Sequence, residues 1–279
     1  MPPVKIEPLS DILGAAVSGL DLTNAVDNDD AATLHEALKE HLVLCIRGQQ
    51  LAPPAFAKAA RLFGPLKKFI TRRDRIDSTP EVSIVSNRPP SLEGKPLVQA
   101  KYWHTDDSYL AKPATLTLLH AKILPKTGGD TEFINCYNIL RDLPNTMKER
   151  IKGLRAVHKY RSRRNKSWVA KRSPEEEAET PPVDHPLIRT HPESGRQSLY
   201  INPNRIDHIL GWSEADSDEL LDELYDFAFQ SQFQYRHSYE AGDLIIWDNR
   251  CTMHRANADY DINQLRVMHR TFLEGEVPI

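Results

Sequence analysis

Two histidines and one acid in this chain could together hold a metal ion. His104-Thr105-Asp106 places an imidazole and a carboxylate two residues apart, and a second imidazole, His254, closes the run Trp247-Asp-Asn-Arg-Cys-Thr-Met-His254. Two imidazoles and one carboxylate can occupy one face of an octahedral iron(II) and leave three positions open, the arrangement of non-haem iron oxygenases. The triplet alone is weak evidence. With 11 His and 39 Asp plus Glu in 279 residues, chance supplies one or two His-x-acid triplets, and two are present. The other, His191-Pro192-Glu193, lies in the turn-like run Thr-His-Pro-Glu-Ser-Gly, which is expected to be exposed and mobile. Metal ligands need rigid neighbours. His104 instead ends an expected strand, follows Trp103 and precedes Tyr109. If that strand persists through Asp106, residues two apart point to one face and both donors reach one ion.

His254 is expected beside polar turn residues after the strand Leu244-Ile-Ile-Trp247, where a lone histidine is more often structural. The next strand adds weight to it. From Leu265 the chain alternates, so Arg266, Met268, Arg270 and Phe272 share one face, and Leu265, Val267, His269 and Thr271 the other. Both faces are partly apolar, so the strand is expected to be covered on both sides. Its two arginines lie about 13 Å apart, at about 3.3 Å per residue, and a buried cation needs an anionic partner. Those partners could be protein carboxylates, or two carboxylate-bearing small molecules held near the metal by charge-assisted hydrogen bonds.

The positioning elements are mostly short β-runs between turn residues: Glu81–Val85, Val98–His104, Thr115–Ala121, Asp130–Asn135, Ser198–Asn202, Phe233–His237, Asp243–Asp248 and Leu265–Leu273. His41–Arg47 reads as a buried strand ending at Gly48. Asp29 or Asp30 can cap a helix carrying Leu34, Ala37 and Leu38, and Pro53-Pro54 opens another that Gly64 can end. Ser213 or Ser217 caps the clearest helix, whose apolar stripe is Leu220, Leu221, Leu224, Phe227 and Ala228. The fold class expected is mainly β with peripheral helices, a sandwich or barrel under helical cover. No repeat or composition break divides residues 1–279, which are read as one domain. The irregular stretch 161–182, with Arg161, Arg163, Arg164 and Lys166 before Glu175–Glu177, reads as a solvated loop or as a lid whose basic end meets an anionic substrate.

Composition sets the class. Apolar content of 40% suits a large core, and a net charge of −3 with interspersed signs points to neither nucleic acid nor a membrane surface as a partner. No apolar leader or spanning segment is evident. Cys45, Cys136 and Cys251 are odd in number and widely spaced, which favours a reducing compartment, and a cytoplasmic location is expected.

Taken together, the chain resembles the TauD/TfdA family of iron(II)- and 2-oxoglutarate-dependent dioxygenases, which includes taurine dioxygenase and 2,4-dichlorophenoxyacetate dioxygenase. The similarity covers nearly the whole chain. It includes Gly14-Ala-Ala-Val-Ser-Gly-Leu-Asp-Leu-Thr23, Phe63-Gly64, Trp103-His-Thr-Asp106, Gly128-Gly-Asp-Thr131, His191-Pro192, Trp247-Asp-Asn-Arg250, His254-Arg-Ala-Asn-Ala-Asp-Tyr260 and Arg266-Val-Met-His-Arg270. Each is modest alone; in this order they are specific.

The resemblance implies a double-stranded β-helix (jelly-roll) core with helices outside it. It implies iron ligation by His104, Asp106 and His254, 2-oxoglutarate at Arg266 with help from Thr131, and the substrate's acidic group at Arg270. Fe(II), 2-oxoglutarate and O2 are the implied cofactors, with succinate and CO2 as products. The implied substrate is a small anionic molecule, namely a sulfonate, sulfate ester or aryloxyalkanoate-like acid. Hydroxylation beside its heteroatom would lead to C–O or C–S cleavage. Family members often form dimers or tetramers. Where taurine enzymes carry a histidine after the Phe-Gly-x-Leu segment, this chain reads Lys67-Lys68-Phe69-Ile70, which argues against taurine itself. Arg205 stands near an aromatic pocket position of the taurine enzyme, and a second cation there would suit a dianionic or larger acid. Trp103, Tyr102, Phe69 and the 161–172 stretch are the expected pocket walls. Two other classes fit the same residues less well: a jelly-roll metal-dependent hydrolase, and a non-catalytic small-acid-binding protein.

Overall fold

The computed structural model describes residues 3–89, 95–165, 169 and 171–279. Its largest sheet runs in the order Lys5–Pro8, Ala15–Ser18, Val43–Ile46, Leu244–Asp248, Leu116–Ile123, Val267–Leu273, Thr79–Ser86, Arg75–Ile76, with Leu66–Lys67 also paired to Val267–Leu273. Pairing is antiparallel except between Ala15–Ser18 and Val43–Ile46. A second sheet places Thr131–Asn135 between Gln234–His237 and Thr252–Ala256.

The alternation of Leu244–Asp248 explains how these layers stack. Leu244 and Ile246 join Leu34, Leu38, Phe56 and Leu118 in one cluster, so that face is covered by the helices Asn28–His41 and Pro53–Ala60. Ile245 and Trp247 point the other way and join Phe133 of the second sheet, with Leu119 and Met268. The space between the two sheets is therefore the jelly-roll interior, and the chain is mainly β with helices outside. A third cluster unites the helices Cys136–Asp142 and Glu214–Ala228 with Leu187, Leu199, Ile206 and Ile209 of the smaller sheets. No helix among the described residues is long and apolar enough to cross a membrane.

Most expected elements are present, with shifts that have local causes. Asp27, rather than Asp29 or Asp30, caps the first helix by accepting from the Asp30 amide, leaving the other two acids in the first turn where they favour the helix dipole. Ser213 caps the long helix in the same way, through the amide of Asp216. The chief correction is Val98–His104, which forms no strand; its chain is held by isolated contacts described below. Short helices at Asn145–Ile151 and Pro174–Ala178, and the strand Thr252–Ala256, were not expected.

Candidate active site

His254 lies on the strand Thr252–Ala256, not in a turn, and its register partner is Phe133. His104 reaches it through a single bridge: His104 N donates to His254 O (3.0 Å) and His254 N to His104 O (2.8 Å). Asp106 completes a triad whose ligand atoms all lie within 4.8 Å of one another. His254 Nε2 is 3.6 Å from Asp106 Oδ2, and His104 Nε2 is 3.9 Å from Oδ1. Neighbouring donors on an ion with bonds of about 2.1 Å sit about 3 Å apart, so a small inward movement suits a divalent cation. The protonation state suits it too. His104 Nδ1 faces the carbonyl of Tyr102 at 2.9 Å, so that nitrogen carries the hydrogen and Nε2 presents a lone pair. Burial holds the His104 pKa below its usual value, while burial and the neighbouring His104 hold that of His254 well below. Both rings are neutral, as ligation requires.

Asp106 is aimed by a buried network. Its Oδ2 accepts from Thr117 Oγ1 (2.8 Å), and Thr117 accepts in turn from Asn249 Nδ2 (2.8 Å). Asn249 Oδ1 is fixed by Trp247 Nε1 (3.1 Å), and Thr105 Oγ1 donates to the Asn249 carbonyl (2.9 Å). Asn202 Nδ2 donates to Thr105 O and Ser108 Oγ, both at 2.8 Å. The ligand loop is thus clamped by side chains from distant elements. It also contains two of the described non-glycine residues with positive φ, Ala100 (58°) and Asp107 (55°). Such backbone persists only where its surroundings over-determine it.

Two cavities meet at His104 and Arg270. The first is lined by His254, Thr131, Arg266, Asn87, Tyr260 and Leu119 among others. Arg266 is buried here and tightly directed. Its Nε donates to Gly129 O (2.9 Å) and its amide to Asn87 Oδ1 (3.0 Å), while Nη2 is buried with no partner among the described residues. The Gly128-Gly129 pair makes this possible. Both have positive φ (71° and 73°), and a Cβ on Gly129 would stand 3.3 Å from Arg266 Cδ and Nε. Thr131 Oγ1 bonds Tyr239 OH at 2.9 Å beside the same arginine.

The second cavity is lined by Asp106, Phe69, Tyr109, Tyr160, Arg205, Arg270 and Phe272 among others. The Arg270 guanidinium lies over Phe69 (5.2 Å) and Phe272 (4.7 Å), with Nη1 4.0 Å from Asp106 Oδ1. Its Nε is buried without a partner among the described residues. Arg266 and Arg270 thus face one interior, as alternation predicted, although a register shift falls between Val267 and Met268.

Three expectations need correction. Trp103 is no pocket wall; it is packed in the core on Phe229 (6.0 Å) under the Arg255 guanidinium. Tyr102 contributes its carbonyl rather than its ring to the site. Arg163 and Arg164 of the basic end of 161–182 do not line the cavities: Arg163 pairs with Asp218 (2.7 Å) and Arg164 with Asp218 and Asp222, all on the long helix. Lys166 lies outside the described residues. His191 was rightly passed over as a ligand, but for the wrong reason. It is buried, 3.1 Å from Asp248, in a network that continues through Arg250 to Glu193. Although burial would raise the Asp248 pKa, Arg250 and His191 hold it far below the carboxylate range. A second donor cluster, Cys45, His237 and Asp243, is also buried. There Arg47 already pairs with Asp243 (2.6 Å), and burial pushes the Cys45 thiol up to about 12, so it stays protonated.

Thr117, Asn249, Asn202, Asn87 and Tyr239 were not foreseen. Asn249 stands inside Trp247-Asp-Asn-Arg250, a stretch already singled out, but nothing near Thr117 in sequence signals its role.

Comparison with known proteins agrees with this geometry. The family described as taurine catabolism dioxygenase TauD, TfdA family, matches residues 5–272. The alpha-ketoglutarate-dependent 2,4-dichlorophenoxyacetate dioxygenase of Cupriavidus pinatubonensis is 33% identical over 278 residues, covering 96% of each chain. An alkylsulfatase of Acinetobacter baylyi is 32% identical, covering 98% of this chain and 86% of its own. A crystal structure of a taurine dioxygenase from Burkholderia xenovorans superposes with a TM-score of 0.84 at 30% identity, covering 100% of this chain and 91% of that one.

Proposed function

We propose how the site works in a chain that belongs to the TauD/TfdA family and is, with it, a 2-oxoglutarate-dependent non-haem iron dioxygenase. Its cofactors are Fe(II), 2-oxoglutarate and O2. His104, Asp106 and His254 hold the iron. Bound there, iron with 2-oxoglutarate and O2 supplies the oxidant that replaces a substrate C–H by C–OH, while 2-oxoglutarate becomes succinate and CO2. Everything else is positioning by this chain. Arg266 takes the distal carboxylate of 2-oxoglutarate, with Thr131 beside it, because its Nη2 is a buried donor with no acceptor among the described residues. Arg270 holds the substrate's acidic group: it lines both cavities, stands beside Asp106, and its Nε likewise has no partner among the described residues. Phe69 and Phe272 flank that cation and orient it toward the cavity.

The substrate is a small organic acid of the sulfonate, sulfate ester or aryloxyalkanoate type, the kinds named for the relatives. Hydroxylation at a carbon bearing oxygen or sulfur gives an unstable adduct that collapses, releasing the heteroatom group and leaving a carbonyl. The chain acts as one catalytic domain, with the 161–182 segment serving as a lid that contributes Val169 to the wall of the substrate cavity. Its three cysteines are free and buried, in keeping with a reducing cytoplasm.

The observation that carries this reading is the pair of unpartnered arginine donors flanking the His-Asp-His triad. The test has two stages. Anaerobic protein with Fe(II) and 2-oxoglutarate develops a weak visible band; a hydrolase or inert binder would not. Aerobic screening of sulfonates, sulfate esters and aryloxyalkanoates then finds at least one that stimulates succinate release. No band and no stimulated succinate would refute the assignment.

A further inference from the structure

The substrate cavity holds a second cation that the reaction above does not use. Arg205 lines that cavity together with Arg270. It donates through Nη1 to the carbonyl of Tyr160, and its guanidinium sits 5.1 Å from the ring centre of Tyr109 and 4.9 Å from that of Tyr160. Arg172 presses on the same two rings, at 4.8 Å and 3.4 Å, and donates to Tyr109 OH (3.0 Å) and Thr180 Oγ1 (2.8 Å). Two guanidiniums therefore share two phenol rings. Among the described residues, neither forms an ion pair with a carboxylate. Asp107 is near enough to act on Arg205, but its oxygens already serve Lys67 (2.9 Å) and Tyr109 OH (2.9 Å).

Several arginines elsewhere are treated differently. Arg163, Arg164 and Arg236 are paired with acids although all three reach solvent. A desolvated cation is costly unless paired, and aromatic faces return only part of that cost. Burial and the nearby Arg172 act together to hold the Arg205 pKa below its usual value. Among the described residues, Arg205 and Arg266 form no ion pair with a carboxylate, and Arg270 has only Asp106, itself in the triad, at 4.0 Å. 2-Oxoglutarate answers for Arg266 and one substrate acid for Arg270. Arg205 is left over.

We propose that Arg205 forms a second anion subsite, so that the preferred substrate is a dianion gripped by Arg270 near the metal and by Arg205 at the far end. This rests on Arg270 being the substrate arginine. Arg205 then sets specificity by rejecting monoanions of the same length, which leave its guanidinium unanswered.

The test is calorimetric binding to anaerobic full-length protein loaded with Fe(II) and 2-oxoglutarate, where no turnover proceeds. The probes are ethane-, propane- and butane-α,ω-disulfonate, each against its monosulfonate. At least one disulfonate should bind more than about tenfold tighter than its monosulfonate, on the scale of one added charge-assisted hydrogen bond. Arg205→Met should erase that preference while leaving monosulfonate affinity within about twofold, and Arg205→Lys should restore part of it. Equal binding of both classes by the wild type, or equal weakening of both by Arg205→Met, overturns the proposal. Arg270→Met separates the two readings. If it leaves monosulfonate binding unchanged, the Arg270 assignment falls. If it abolishes that binding while disulfonates gain nothing in the wild type, only the dianion inference falls.

Discussion

The two cavities on either side of His104 are built differently. On the Arg266 side, the guanidinium is fixed by Gly129 O and its amide by Asn87, and the glycine pair removes the Cβ that would crowd it. Arg266 precedes a central strand of the large sheet, so little can move. On the Arg270 side, the walls are Phe69, Tyr109, Tyr160 and Arg205, drawn from loops and from the chain near 161–182. The difference teaches where each kind of specificity resides. An invariant ligand is met by backbone-fixed donors, whereas a variable one is met by aromatic rings and long cations that can be exchanged without disturbing the sheets.

Removing the shared centre should have the largest effect. Asp106→Ala should lower 2-oxoglutarate turnover more than about 1000-fold, since a bound metal contributes several kcal/mol to the transition state; succinate release measures it, and near-normal activity would dissolve the comparison altogether. Next comes the asymmetry between the arginines. Arg266→Ala should raise KM for 2-oxoglutarate roughly 100-fold, the scale of a lost buried charge pair, while Arg270→Ala changes it only a few-fold. The reverse order would exchange the identities of the two cavities. A smaller effect is expected one step behind the metal. Thr117→Val removes the donor to Asp106 Oδ2 and strands Asn249, and should weaken Fe(II) binding about tenfold, read by metal titration; unchanged affinity would show that the Thr117 bond does not aim the carboxylate.

The smallest effect is on stability and pH. His120, beneath the Arg266 side, and His185, behind the ligand loop on the Arg270 side, are buried, and burial lowers each pKa to about 4. A histidine pKa depressed in the folded state stabilises fully above the unfolded value of about 6.5 and loses that contribution as pH falls toward 4. Between pH 7.5 and 6 the loss should stay under about 1 kcal/mol per imidazole, growing steeply below. Denaturant titrations on His120→Gln and His185→Gln should each flatten part of that slope. If His185→Gln alone does so, acid sensitivity belongs to the loop-built side.

The Arg266 side was legible in sequence. Alternation from Leu265 placed both arginines on one face. Leu244-Ile-Ile-Trp247 read as a strand for the same reason: a period of two survives wherever a strand is buried between layers. The loop side was much less legible. Val98–His104 has strand-like composition but contributes only one bridge, because its backbone hydrogen bonds, made at Ala100 and His104, go to Ala256 and His254, residues about 150 positions away that no local pattern links to it. Trp103 looked like a pocket wall because it precedes His104, yet without a continuing strand nothing fixed which way it faced. His191 looked like an exposed turn because local composition cannot reveal that Asp248 lies across from it.

By itself, then, the sequence determined the mainly β class with helices outside, the two arginines and the donor types of the triad, since each depends on residue identity and short-range periodicity. Only tertiary structure decided that His104, Asp106 and His254 meet, that Trp103 turns away, and that Arg205 enters the cavity with no ion pair among the described residues. Those facts depend on side chains closing across loops far apart in the chain, and no local pattern encodes such closure.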